Sequence, residues 1–305
     1  MNEKPVITVI CGPTASGKTK LGIDLANKIN GEIISADSMQ IYKEMDIGTA
    51  KPTKEECNQA VHHLVDFVSP DKRYSVADFK NDANAKIKDI ISRGKNVIIV
   101  GGTGLYINSL IYNIEYGEEK TDLEYRKELE QYTVEELYEK ANNIDNEAVE
   151  KISSTDRKRL SRILEIYHTT GKTKTELELN SRKKLEYDYK IFVLSTNREK
   201  LYERINMRVD IMMEQGLIEE VSKLLQKYDN MSTAMQGIGY KEVKEYLDGS
   251  VTKEDMIEKL KMETRRYAKR QLTWFRAYEN AVWLDTFNPN NVDIILEELG
   301  EKTNK

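Results

Sequence analysis

A chain of 305 residues is long enough for one or two domains and a sizeable core. Its 52 acidic residues against 47 basic ones, a formal charge of −5, exclude a wholly basic nucleic-acid binder and leave room only for a local basic patch. Two cysteines, Cys11 and Cys57, and three histidines, His62, His63 and His168, form neither a disulfide framework nor a zinc pattern, so a reducing, cytoplasmic setting is expected.

Residues 6–11, "VITVIC", are β-branched and apolar. They are expected to form a buried parallel strand, being far too short to span a bilayer; no membrane association is expected. Residues 18–30 carry helical spacing (Leu21, Leu25, Ile29) and stop at Gly31. Residues 32–36 read as a second strand with Asp37 just past its end, and residues 64–68 as a third, led by His62 and His63. Ser75 and Asp78 form a capping box for a helix over 75–93 ended by Gly94. Residues 96–100, "NVIIV", are a further strand, followed by "GGTG". This alternation predicts an α/β fold, an open parallel sheet with helices on both faces.

From 115 to 187 no strand is predicted. Capping pairs recur instead, Thr121 with Glu124 and Thr133 with Glu136, and the stretch reads as an all-helical insertion domain. It is acidic up to Glu150 and basic after it, through Arg157, Lys158, Arg159, Arg162, Lys172, Lys174, Arg182, Lys183 and Lys184. The sheet resumes at 189–195, a helix over 199–215 ends at Gly216, Thr252 and Asp255 open a long helix to about 278, and 281–285 is a last strand. The core domain is therefore 1–114 with 188–305, and the insertion 115–187.

The stretch Gly12, Pro13, Thr14, Ala15, Ser16, Gly17, Lys18, Thr19 fits the phosphate-loop pattern between a strand and a helix. Its backbone N–H groups and the helix N-terminus suit phosphate oxygens, Lys18 the terminal phosphates, and the Thr19 hydroxyl Mg2+. A nucleotide such as ATP is the usual occupant. Hydrolysis, however, needs a carboxylate at the end of a neighbouring strand, and the strand 96–100 ends in "GGTG". The carboxylate suitably placed is Asp37, as a base or a metal holder.

Taken in order, "GPTASGKT", "ISADSMQIYKEMDIGTAKP", "HHLVDFVSP", "VGGTGLYI", "DRKRLSRILEIYHTTGK", "RINMRVDIMMEQGLIEEV" and "GIGYKEV" resemble the bacterial tRNA dimethylallyltransferases over nearly the whole chain. The resemblance implies a P-loop NTPase-like core in which residues 12–19 hold the diphosphate of dimethylallyl diphosphate, with Mg2+ as cofactor. It implies transfer of the dimethylallyl group to the exocyclic amine of the adenosine 3′ of the anticodon. Asp37 then matches the base and Arg208 an arginine on the diphosphate, with Arg204 one turn earlier as the alternative. Matched to tRNA contact are Asp37, Ser38, Met39, Gln40 and Thr103; Lys158, Arg159, Leu160, Ser161 and Arg162; and Gln236, Gly237, Ile238, Gly239, Tyr240 and Lys241. At Lys158 and Gln236 the chain departs from the family's pattern. A monomer is expected.

Independently, residues 264–276 hold Arg265, Arg266, Lys269, Arg270 and Arg276 and no acid, so with the basic half of the insertion they are expected to meet RNA phosphates. Trp274 and Phe275 read as core. Three alternatives stay open at this stage: a kinase with the same loop, a prenyltransferase acting on free adenine nucleotides, and a non-catalytic RNA-binding module.

Overall fold

The structure, a computed structural model, describes residues 4–114, 122–181 and 184–300. Its elements in order are β1 (Val6–Cys11), α1 (Lys18–Ile29), β2 (Gly31–Ser35), α2 (Lys54–Gln59), β3 (His62–His63), α3 (Val76–Ser92), β4 (Asn96–Gly101) and α4 (Gly104–Ile111). Then come α5 (Leu123–Gln131), α6 (Val134–Ile144), α7 (Asn146–Glu150), α8 (Arg157–Thr170) and α9 (Lys174–Ser181). The chain closes with β5 (Asp188–Ser195), α10 (Arg198–Glu214), α11 (Leu217–Lys227), α12 (Tyr240–Leu247), α13 (Lys253–Phe275), β6 (Val282–Asp285) and α14 (Asn291–Leu299).

The six strands form one sheet in the order β3-β2-β4-β1-β5-β6, every pair parallel. Both faces are covered, which is why the central strands read as unbroken apolar runs. Ile10, Ile33, Ile98, Phe192 and Leu284 join Leu21 and Leu25 of α1 and Ile295 of α14 in one core. Residues of the other parity, such as Ile7, Val9, Ile34 and Ile99, are equally buried on the opposite face, where α3 packs on β2 and β4. A further core joins Ile41, Tyr42 and Met45 to α10, α11, α12 and α13.

The chain divides into two compact units, Met1–Ile107 with Glu186–Lys305, and Asn108–Leu185. The second is helical around Leu129, Leu137, Ala141, Leu160, Ile163 and Leu164. Within it Thr133 and Glu136 form the expected capping box, a device worth about 1 kcal/mol. Thr121, like Arg182 and Lys183, lies outside the described residues; α5 is capped by Asp122, whose carboxylate accepts from the Glu124 and Tyr125 amides at 3.0 Å each.

Most element ends shift from expectation by one to three residues, and two differences alter the local structure. Asn30 at φ 50°, rather than Gly31, takes the left-handed turn after α1, and Gly31 already pairs in β2. The third strand is His62–His63 alone. After it Leu64 and Asp66 turn left-handed, at φ 59° and 57°, so the apolar stretch 64–68 leaves the sheet. Its Phe67 and Val68 amides instead donate to the Ile41 carbonyl, each at 2.9 Å. Among the described residues no helix is long and apolar enough to cross a membrane.

Candidate functional site

The phosphate loop leaves the carboxyl end of β1, between β4 and β5, where the sheet changes direction and open α/β folds bind ligands. Gly17 at φ 86° starts α1, and Ala15 is held left-handed at φ 63°. Ala15 keeps that strained conformation because Leu201, Ile205 and Ala268 pack around it and because Arg204 Nε donates to its carbonyl at 2.7 Å. The loop opens onto a cavity of ≈ 1120 Å³. Thr14, Ala15, Gly17, Lys18, Thr19, Asp37, Ser38, Met39, Gln40, Arg208, Gln236, Gly237 and Ile238 all line it, and Arg204 does not. The alternative left open between the two arginines is thus separated in space: Arg204 braces the loop backbone, while Arg208 reaches the cavity with Nη1 3.5 Å from Thr14 Oγ1.

The electrostatics of this wall are one-sided. Lys18 Nζ donates to the Pro13 carbonyl at 2.7 Å. Burial, aided by the nearby Arg208 charge, pushes its pKa down to about 8. Burial and the neighbouring Arg204 likewise lower Arg208. Burial pushes the Cys11 thiol up to about 12, so the cysteine beneath the loop is inert. The Ser16 hydroxyl is buried without a hydrogen-bond partner in the protein. Two half-buried cations and a buried, unpaired hydroxyl thus gather around one loop, an arrangement that suits an anion.

Facing them is Asp37, just beyond β2. Its Oδ1 accepts from the Met39 and Gln40 amides at 2.9 and 3.3 Å, an Asx turn that fixes the carboxylate and engages one of its two oxygens. Ser38 N donates to Thr103 Oγ1 at 3.0 Å, and Thr103 N to the Ala36 carbonyl at 3.1 Å, so the loop after β4 is tied to the Asp37 turn. This close approach explains a glycine: a Cβ on Gly101 would lie 2.2 Å from the Ala36 carbonyl oxygen.

Several residues matched to RNA contact are occupied inside the protein. Gln40 accepts from Ser35 Oγ and donates to the Thr49 and Ala50 carbonyls, so its amide braces the loop around residue 50. Leu160 is wholly buried in the helical unit and Tyr240 in the core unit, so their side chains serve the packing of these segments. Gly237 and Gly239 are buried too, whereas Gln236 and Lys241 are exposed. On α8, Lys158 and Arg159 are exposed, Ser161 is half-buried, and Arg162 lies 3.3 Å from Glu165. On α13, Arg266, Lys269 and Arg270 are exposed, and Arg270 also lines the cavity. Phe275 is core as expected, but Trp274 is partly exposed.

Two anchors carried no sequence signal. The Glu220 carboxylate accepts from the amides of Asp46, Ile47 and Gly48 at 3.0, 2.8 and 3.2 Å and from the Tyr240 hydroxyl at 2.6 Å, clamping a cavity-lining loop from α11. Gln271 of α13 accepts from Thr14 N at 2.8 Å and donates to the Gly102 carbonyl at 2.9 Å. The backbone partners of Glu220 are 172 to 174 residues distant and those of Gln271 169 and 257, so nothing local announces these contacts.

Fold and site together define a phosphate-loop α/β protein with a cationic cavity at the carboxyl edge of its sheet. The IPP transferase family profile matches residues 40–278. A tRNA dimethylallyltransferase of Acetivibrio thermocellus is 50% identical over 299 residues, 96% of each chain. Among solved structures, the full-length tRNA isopentenylpyrophosphate transferase of Bacillus halodurans is 42% identical, with a TM-score of 0.74 over 98% of this chain and 96% of that one. A eukaryotic dimethylallyltransferase captured acting on tRNA is 30% identical, with a TM-score of 0.82 over 99% and 81%. This chain belongs to the IPP transferase family.

Proposed function

We propose that this protein is a tRNA dimethylallyltransferase, moving the dimethylallyl group of dimethylallyl diphosphate to the exocyclic amine of the adenosine 3′ of the anticodon. The observation that carries the reading is the cavity wall. Half-buried Lys18 and Arg208 line it with Asp37 at the end of β2, the other lining acids, Asp46, Glu56 and Asp66, lie between β2 and α3, and β4 ends without an acid, a set suited to a departing diphosphate rather than to ATP hydrolysis. Relatives of matching length that carry this name support it.

The residues then divide the work. Loop amides, Ser16, Lys18 and Arg208 grip the diphosphate and stabilise the charge that builds as the allylic C–O bond breaks, its electron pair leaving with the diphosphate. The amine lone pair of adenine, weakened by delocalisation into the ring, forms the new C–N bond, and the amine proton passes to the free oxygen of Asp37. The Asx turn holds that carboxylate in place meanwhile. A Mg2+ would be held by the Thr19 hydroxyl, which lines the cavity, with substrate phosphate oxygens and water, as is usual for this ion. When bound it would neutralise part of the diphosphate charge.

The acceptor adenosine must leave its stack to reach the cavity, which is cheap in a single-stranded anticodon loop. In this reading Ser38 and Met39, which line the cavity, and Thr103 meet it, and the exposed cations of α8 and α13 meet phosphates. The enzyme is read as a monomer acting in the cytoplasm. The test is direct: incubate the protein with unmodified tRNA, free AMP or ATP, Mg2+ and dimethylallyl diphosphate, then weigh the nucleosides. Prenylated adenosine in tRNA is expected; prenylation of the free nucleotide alone would refute the acceptor, and consumption of ATP with phosphoryl transfer would refute the chemistry.

A further inference from the structure

Gln271 lies within the basic stretch 264–276, far in sequence from the phosphate loop and the loop after β4, yet its side chain touches both. Its amide is buried, at 6% exposure, and both ends are used. Oε1 accepts from the backbone of Thr14 in the phosphate loop, and Nε2 donates to the Gly102 carbonyl in the loop after β4. Gly102 is shaped to this contact: a Cβ there would lie 2.3 Å from Gln271 Nε2. The same face of α13 carries Ala268, packed on Ala15 of the phosphate loop, and Tyr267, whose hydroxyl lies near Thr103 and Gln271. Thr103 in turn receives the Ser38 amide next to Asp37. One helix face therefore contacts the loop proposed to hold the donor and the loop tied to the proposed base.

We propose that Gln271 is a positioning residue for prenyl transfer, fixing the separation between the diphosphate-holding loop and the loop that carries Thr103 and braces Asp37. This rests on the prenyl-transfer reading above. The polarity of the site selects glutamine specifically. One end must accept from an N–H and the other must donate to a carbonyl, which a neutral amide does and a carboxylate cannot. Two reacting centres held by different loops lose rate steeply when those loops drift, about 10²-fold for a displacement of about 1 Å.

The experiment compares Gln271→Met, which keeps length and volume but removes both hydrogen bonds, with Gln271→Glu, which keeps shape but reverses one polarity. Four quantities are read: single-turnover rate at saturating dimethylallyl diphosphate and tRNA, affinity for inorganic pyrophosphate with Mg2+, tRNA affinity, and thermal midpoint. The saturating rate is expected to fall about 10²-fold in both variants. Pyrophosphate affinity is expected to weaken by only about 3–10-fold, the loss of a hydrogen bond that preorganises the loop, with tRNA affinity unchanged. Wild-type saturating rates in both variants, or a rate loss accounted for entirely by a smaller folded fraction, would overturn the proposal. Should the wild-type protein fail to prenylate tRNA at all, the functional reading falls and the pyrophosphate arm decides Gln271 by itself: weakened binding supports its hold on the loop, and unchanged binding removes it.

Discussion

The two edges of the parallel sheet treat charge in opposite ways. At the amino edge Glu32 of β2, buried at 3% exposure, is met by Arg93 at 2.5 and 2.7 Å, Lys95 at 2.5 Å and His63 at 2.7 Å. These bonds, led by Arg93, hold its carboxyl far below the usual carboxylate range. At the carboxyl edge Lys18 and Arg208 are half-buried, and desolvation together with a neighbouring cation, Arg208 for Lys18 and Arg204 for Arg208, lowers both pKa values. The first edge spends its charges on the fold. The second keeps them in reserve for an anion, at a cost in stability that a ligand repays.

That contrast can be broken by experiment at either edge. The largest effect is expected at Asp37→Asn. The amide oxygen preserves the Asx turn, so tRNA affinity should hold while the single-turnover rate drops by about 10²–10⁴; an unchanged rate would take the base role from Asp37. Next, Lys18→Ala should weaken pyrophosphate binding by about 10²–10³-fold, the cost of removing one member of a desolvated charge pair, as read by titration calorimetry.

Glu32→Gln tests the other edge. It should leave pyrophosphate binding untouched and cost about 2–3 kcal/mol of stability in denaturant titrations, below the full value of a buried pair because Arg93 and Lys95 are partly exposed. The sign with pH follows from linkage. Unfolded Glu32 titrates near ~4.3 and folded Glu32 well below, so its contribution is complete above ~4.3 and fades as pH falls toward the folded value. The wild type and the variant should therefore converge in acid and differ by a constant amount at neutral pH. The smallest effect is the converse one at Lys18. Diphosphate prefers the ammonium, so affinity should be level below pH about 8 and decline above it by up to about tenfold per pH unit, a slope that Lys18→Ala should abolish.

Much of this was readable from residues alone, and the parts that were not share a cause. The phosphate loop, Asp37 at its strand end, and the capping boxes at Ser75 and Thr133 are local patterns, and the helices they announce form where expected. The stretch 64–68 misled because its apolar residues serve a loop packed on residues 40–42, and no sequence period distinguishes that from a strand. Leu160 and Tyr240 sit in stretches that also hold exposed residues such as Arg159 and Lys241, so a contiguous motif mixed buried and exposed members. Glu220 and Gln271 were silent because backbone partners more than a hundred residues away leave no trace in spacing.

The fit of Gly102 against Gln271 also bears on how this enzyme can change over generations. Neither position is free to drift by itself: a side chain at 102 collides with the amide, and shortening residue 271 strands the Thr14 amide and the Gly102 carbonyl without their partner. Descendants of this chain would have to alter both at once or keep both, and a library that randomised either site singly should return its starting residue.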